Sequence, residues 1–372
     1  MRLYLKRVLG PDHGPGLFRL PAWTWIVMFV LVLGTGLGLR LHTLLVWQTL
    51  PEHTFFEDQP LFMENDGYYY MRLARDWNQG IYGSEDTKRG APDNIRARPP
   101  IPPLLSILAG LGVRLTGGSY NWTGAFLAPI LGCLAGLPVF FLGRRFGGPV
   151  TGLVAALVTL LAPFYAYRTN FAFCDTDGLV VTLSLTAALA ALSFGVEKTA
   201  RRYTWFGVWF AAYLLLSWAW GTTISNATLF CIPPFLASLV FMYRPPRKEA
   251  IGFFVAGLGI FFLAWAAAGP QIKVGLKKML VSYPRTLFTK NVPEFWPSSR
   301  DYVAEIDGSA FSEITRYACG HPALLCLALA GLVLLALHRK KEITVLVSLG
   351  LVGSSAFFIG PRYVIFLSPV LG

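Results

Sequence analysis

Charge is scarce in this 372-residue sequence: Asp, Glu, Lys and Arg make up 14% of it, against 54% hydrophobic residues. A soluble domain carries about a quarter of its residues as charges, so the chain is expected to be an integral membrane protein. Cysteine and histidine are equally thin, with five of each. An odd number of cysteines, of which Cys133, Cys231 and Cys326 fall inside apolar runs, excludes a disulfide framework. Only Cys174 and Cys319 read as both lying outside the membrane, and a bridge between them stays an open guess. No His/Cys group has zinc spacing, and His53 and His321 read as plain surface residues. There is no Walker loop, no Gly-x-Ser-x-Gly and no dinucleotide fingerprint. Internal repeats, low-complexity segments and a folded soluble domain are missing too. The net charge of +12 is not a nucleic-acid signal, because the basic residues fall in short clusters between apolar runs.

Long apolar runs are what the chain has instead. A span needs about 20 apolar residues, and candidates are 22–46, 121–143, 148–166, 178–196, 203–220, 223–243, 250–268, 322–337 and 343–359, with a last one starting at Tyr363. The expected fold class is therefore all-α, a polytopic transmembrane bundle with two long extracytoplasmic loops carrying surface helices. Residues 1–21 read as a basic cytoplasmic tail and 22–372 as the membrane core. The first apolar run is too long for a signal-peptide core and is read as an uncleaved span. Gly34, Gly36 and Gly38 within it are expected to allow close helix packing.

Orientation follows from the basic clusters. The N-terminal tail, Arg144-Arg145, Lys198 with Arg201-Arg202, Arg244 with Arg247-Lys248, and Arg339-Lys340-Lys341 are each separated by a pair of spans. All can therefore be cytoplasmic at once, as the positive-inside rule asks. The outer face then holds 47–120, the stretch Tyr167–Gly178, the turn Trp220-Gly221-Thr222, 269–321 and Gly360-Pro361-Arg362. In the first outer loop Tyr69, Leu73 and Trp77 recur at helical spacing. This predicts a surface helix, aromatic side down, with Asp66 at its N-terminal end. A Pro-rich piece, Arg98 to Pro103, leads to an apolar stretch expected to pack on the membrane surface.

Nearly all the informative acids share that outer face. Asp175 and Asp177 sit between two candidate spans, where an Asp in lipid costs about 2.5–3.5 kcal/mol at mid-membrane. They need water, a cation or a partner; the plain alternative is a helix N-cap. With Asp66 and Glu305 they form a set of four acids from separate outer loops that could converge on one cation. All-oxygen coordination suits Mg²⁺ or Mn²⁺ rather than zinc. Lys273, Lys277 and Lys278 make part of the outer face basic, against the usual bias, which favours a negative ligand. Arg362 lies directly before a span: either it snorkels to the interface or it clamps a phosphate beside the cation.

The motifs Asn65-Asp66-Gly67-Tyr68-Tyr69, Arg168-Thr169 before Asp175-Thr176-Asp177, Ser217-Trp218-Ala219-Trp220-Gly221, Tyr302-Val303-Ala304-Glu305 and Arg362-Tyr363 come in one order and on one side. Together they resemble the catalytic subunit of oligosaccharyltransferase, in its membrane part. The resemblance implies a GT-C glycosyltransferase of the cell (inner) membrane, with its site on the extracytoplasmic, periplasmic face. It would move a glycan from a polyprenyl-pyrophosphate donor to asparagine in an acceptor polypeptide carrying Asn-x-Ser/Thr. It further implies that Asp66, Asp175, Asp177 and Glu305 hold Mg²⁺ or Mn²⁺, with Asp66 and Glu305 engaging the acceptor amide. Arg362 and Lys277 would bind the pyrophosphate.

Two departures stand against that pattern. Tyr302 occupies a position where the family usually has Ser or Thr, and the Trp-Trp-Asp motif of the family's C-terminal extracytoplasmic domain is absent. The chain is accordingly expected to be a fragment, or a relative that needs a separate second half. The competing readings are another GT-C enzyme using a polyprenyl monophosphate sugar, and a lipid or glycan transporter. A transporter should carry ionisable residues in mid-span and show repeat symmetry.

Overall fold

A computed structural model describes residues 20–86, 96–219, 224–243, 311–338 and 341–353, with isolated positions between these ranges. Almost all regular structure among them is helical: α1 (Ala22–Trp47), α2 (Pro51–Thr54), α3 (Asn65–Asn78), α4 (Leu104–Thr116), α5 (Tyr120–Leu134), α6 (Gly136–Gly147), α7 (Pro149–Leu161), α8 (Pro163–Arg168), α9 (Asp177–Val196), α10 (Arg201–Ala219), α11 (Ile224–Ala237), α12 (Phe311–Cys319), α13 (Pro322–His338) and α14 (Ile343–Gly353). The strands are two-residue ribbons, β1 (Phe55–Phe56) with β2 (Gln59–Pro60) and β3 (Glu85–Asp86) with β4 (Arg96–Ala97), both antiparallel. Among the described residues three helices are long and apolar enough to cross a membrane: α1, the continuous α5–α6 unit Tyr120–Gly147, and α9. The expected spans at 22–46, 121–143 and 178–196 are these. The spans expected at 250–268 and from Tyr363 lie outside the described residues.

Proline and glycine punctuate the bundle. Gly148, at φ +88, turns the chain between α6 and α7, a left-handed conformation that a side chain would resist. Pro149 and Pro163 open α7 and α8 at the first helical position, where a missing N–H costs nothing. Pro163 also holds Ala162 out of helical conformation, at φ −55 and ψ 125. The expected span at 148–166 is thus broken in two, and the short α8 carries Arg168 at its end. Pro233 and Pro234 inside α11 withdraw two backbone donors, and the helix continues as a π-helical segment, Ser238–Tyr243. Trp209 Nε1 donates to the carbonyl of Cys231 at 3.1 Å in the same region.

The core centres on α9, whose Ala187, Ala188, Ala190 and Ala191 are fully buried. Small side chains let α5, α10, α11 and α14 approach it closely, which is how helices gain contact where lipid already satisfies apolar groups. Gly36 plays that part in α1, since a Cβ there would lie 3.0 Å from Leu160 Cδ1. Gly34 and Gly38 do not, as nothing lies within 4 Å of theirs.

The helix expected after Asp66 forms as α3. Its buried residues are Gly67, Met71, Leu73 and Ala74. α3 packs on α4 and α5, with Trp77 against Gly110 of α4 and Met71 against Gly124 of α5. Tyr69 and Trp77 are half-buried and face cations, with Arg72 5.6 Å from one ring and Arg114 4.9 Å from the other. The apolar stretch after the prolines is α4. It sits against α3, where Asn78 Nδ2 donates to the Gly110 carbonyl at 2.9 Å, and Trp218 Nε1 ties Pro102 to α10 at 2.8 Å.

Candidate active site

One guanidinium gathers the acids of two loops. Arg168, at the end of α8, is buried and places Nε 2.5 Å from Asp177 Oδ2 and Nη2 3.0 Å from Asp175 Oδ2. Its Nη1 lies 3.6 Å from Glu64 Oε1, the residue before α3, and its Cζ stands 4.7 Å from the Phe173 ring centroid. Asp175 Oδ1 accepts from Thr176 N at 2.6 Å and from Thr176 Oγ1 at 3.2 Å. Neither Asp caps α9 in the ordinary way. The N-cap is Thr176, which makes no side-chain cap bond, and Asp177 stands inside the first turn with its carboxylate turned to Arg168. A negative charge there still meets the positive end of the helix dipole.

The two acidic loops are locked together by backbone. Met63 N donates to Ala172 O at 3.1 Å, and Ala172 N donates to Ala125 O at 3.1 Å. Ala172 is fully buried at φ 65, a left-handed conformation costing about 1–3 kcal/mol in a non-glycine residue. The joints on both its sides hold it there. Gly67 completes the contact: a Cβ would lie 3.1 Å from Cys174 Cβ and 2.9 Å from Phe62 Cγ. Asp66 therefore adjoins, through Gly67, the residue preceding Asp175, and its own side chain is exposed. Asp66, Asp175 and Asp177 come to one end of the bundle. Glu305, Arg362 and Lys277 lie outside the described residues, with Lys273, Lys278, Tyr302, Trp220 and Gly221. Among the described residues no group of three His, Cys, Asp or Glu is arranged to hold a metal ion.

A second ionic network frames the loop behind α3. Arg72 grips Asp86 through two hydrogen bonds of 2.9 and 2.6 Å, and Arg98 meets Asp76 at 2.8 Å. The hydrogen bond from Arg72 holds the Asp86 carboxyl below the usual carboxylate range. The Tyr82 hydroxyl, which donates to Pro99 O, is pushed up to about 12 by burial.

Cys174 and Cys319 are both free, so the conjectured bridge does not form. His53 is exposed, and His321 Nδ1 accepts from Ala323 N at 3.1 Å, a local turn at the start of α13. Sequence reasoning gave no role to Glu64, next to the first motif, or to Arg168, inside the second. It also passed over Arg40, whose charge inside an apolar span was the available signal.

Residues 40–371 match the family model for oligosaccharyl transferase STT3, N-terminal. The undecaprenyl-diphosphooligosaccharide–protein glycotransferase of Campylobacter jejuni is 23% identical over 219 residues, 59% of this chain and 29% of that protein. The Archaeoglobus fulgidus oligosaccharyltransferase structure in its apo form superposes with a TM-score of 0.64 at 15% identity, covering 93% of this chain and 49% of that one. ArnT of Cupriavidus metallidurans superposes at 0.53 with 16% identity, over 94% and 58% of the two chains. The chain thus spans less than a third of its curated relative and about half of the archaeal structure. These likenesses make the fold an all-helical membrane bundle of GT-C type. The family match covers nearly the whole sequence, and by it the chain belongs to the oligosaccharyl transferase STT3 N-terminal family.

Proposed function

We propose that this chain is the membrane-embedded catalytic part of an oligosaccharyltransferase, which moves a glycan from a polyprenyl-pyrophosphate donor to an acceptor asparagine. The observation that carries the reading is the meeting of the Glu64–Asp66 loop and the Asp175–Asp177 loop around Arg168. The site would open on the extracytoplasmic face of the inner membrane, opposite the basic clusters.

Among the described residues these acids do not form a closed ligand group, but their donor chemistry is that of a hard divalent cation. Glu64, Asp175 and Asp177 stand around the Arg168 guanidinium, Asp66 follows two residues after Glu64, and carboxylate oxygens of this kind suit Mg²⁺ or Mn²⁺. Structures of the Archaeoglobus fulgidus protein include complexes with zinc and sulfate, with an inhibitory peptide and dolichol-phosphate, and with a tethered peptide carrying the NVT sequon. In this chain Asp66, Asp175 and Glu305 would hold the ion. Asp177, fully buried on Arg168, is assigned to orienting that arginine and not to the ion itself. When bound, the ion would supply charge to stabilise the departing pyrophosphate.

The acceptor chemistry falls to the carboxylates. An amide nitrogen is a poor nucleophile because its lone pair is delocalised into the carbonyl. Asp66 and Glu305, accepting hydrogen bonds from the amide N–H groups, would weaken that conjugation. Arg362 and Lys277 would hold the donor's pyrophosphate oxygens. The test is glycosylation of an Asn-x-Thr peptide by the full-length gene product. Asp66→Ala, Asp175→Ala and Glu305→Ala are each expected to lower turnover by about 100-fold or more. Wild-type turnover in all three would refute the assignment.

A further inference from the structure

Arg40 has no assigned purpose, yet it is the most costly side chain in the first span. It sits toward the end of α1, fully buried, and among the described residues no carboxylate is a hydrogen-bond partner. Nε donates to Thr169 Oγ1 at 2.8 Å, and Nη1 donates to the carbonyls of Gly36 and Leu160 at 2.9 and 3.0 Å. The guanidinium lies 5.3 Å from the Tyr165 ring centroid, while Nη2 is buried with no hydrogen-bond partner. An Arg kept in an apolar helix with one donor unsatisfied is an expense that packing alone does not require.

Its partners show what it holds. The Leu160 carbonyl belongs to the last turn of α7, whose ladder is cut before Pro163, so Arg40 caps that end. Thr169 Oγ1 in turn donates to Tyr165 O at 2.6 Å, and the Arg40 carbonyl accepts from Phe171 N at 3.3 Å. The Thr169 side chain fills the notch left by Gly132, where a Cβ would come within 2.5 Å of Thr169 Cβ. Side chain and backbone of Arg40 thus bind α8 and the three residues after it to α1. The next residue back from Thr169 is Arg168.

We propose that Arg40 is a positioning residue of the acid cluster: from the first span it fixes Thr169, and through it the Arg168 guanidinium on which Asp175 and Asp177 are held. It touches no reacting atom. The inference rests on reading that cluster as the divalent-ion site. Partners one step behind metal ligands typically govern affinity by 10–100-fold, which sets the expected scale.

The experiment measures Mn²⁺ binding to the full-length protein in nanodiscs by electron paramagnetic resonance, beside its thermal unfolding. Arg40→Met keeps the bulk and removes the donors; Thr169→Val keeps the shape and removes the acceptor. Each should weaken Mn²⁺ binding about tenfold, and the double variant should be no worse than the weaker single one, because both cut the same link. Arg40→Lys should fall between Arg40→Met and wild type. Should Arg40→Met fail to fold, Thr169→Val carries the test. A lowered melting temperature with Mn²⁺ affinity within twofold of wild type would make Arg40 a structural residue only and overturn the proposal, as would a wild type that binds no Mn²⁺. If Mn²⁺ binding shifts as expected but the wild type transfers no glycan, the proposal stands and the oligosaccharyltransferase reading fails.

Discussion

Arg168 illustrates how one side chain organises the site. Two carboxylates are held by different nitrogens of one planar fork, at 2.5 and 3.0 Å. A lysine is a point charge and cannot hold both in fixed directions. Arg168→Lys is therefore expected to weaken Mn²⁺ binding by about tenfold or more, read by the same resonance titration, while the protein still folds. The Arg72–Asp86 pair makes a different prediction, about stability. Asp86 is buried and its carboxyl is held low by Arg72. Its contribution is therefore present above the ordinary carboxylate pKa of about 4 and lost as pH falls through the lower folded value. Asp86→Asn should cost about 3 kcal/mol at pH 7. The gap to wild type should close below about pH 4, as followed by tryptophan fluorescence during thermal unfolding. A gap that persisted in acid would deny the ion pair its role. Neither arrangement was legible from residue types, because Asp86 and Arg72 are 14 positions apart and only the β3–β4 ribbon behind α3 brings them together.

At the scale of elements, contact between α3 and the loop before α9 decides whether the acids meet. Gly67 is the hinge of that contact, with Phe62 and Cys174 pressed against it. Gly67→Val should force α3 away, lowering glycosylation at least tenfold, with overpacking costing about 1–3 kcal/mol of stability. Activity and melting temperature measured on one preparation separate the two effects. A variant that melted early but turned over normally would show that the contact does not set the site. The apolar periods predicted most helices well, since a span must be long and apolar whatever it packs against. At α3 they were right in part: Leu73 of the expected Tyr69-Leu73-Trp77 stripe is fully buried, while Tyr69 and Trp77 are half-buried. Tertiary contact buries Leu73 of that stripe together with Gly67, Met71 and Ala74, and sets Trp77 against Gly110 and Met71 against Gly124. They also missed the break before Pro163, without which Arg168 would not be aimed at the acids.

For the whole molecule, the alternation of basic clusters and spans yields a directional claim. Gln79 follows α3 and Lys198 lies in the turn between α9 and α10; both are exposed, and the basic clusters put them on opposite sides, Gln79 outside. Gln79→Cys is expected to react with a membrane-impermeant maleimide on intact cells, relative to wild type. Lys198→Cys should react only after permeabilisation, and the reverse pattern would invert the orientation. Composition alone was enough to call a helical membrane bundle, because a chain so poor in charge has few other ways to satisfy its backbone in lipid. The order of its motifs was enough to reach the family, since acids are costly near lipid and stay only where chemistry needs them. What sequence could not determine is how the loops that carry Asp66 and Asp175, 109 positions apart in the numbering, come to touch. That was decided by Ala172 in its left-handed turn, by the bare backbone of Gly67, and by an arginine buried in the first span. Each acts through a contact between distant segments, and such contacts exist only once the helices have packed.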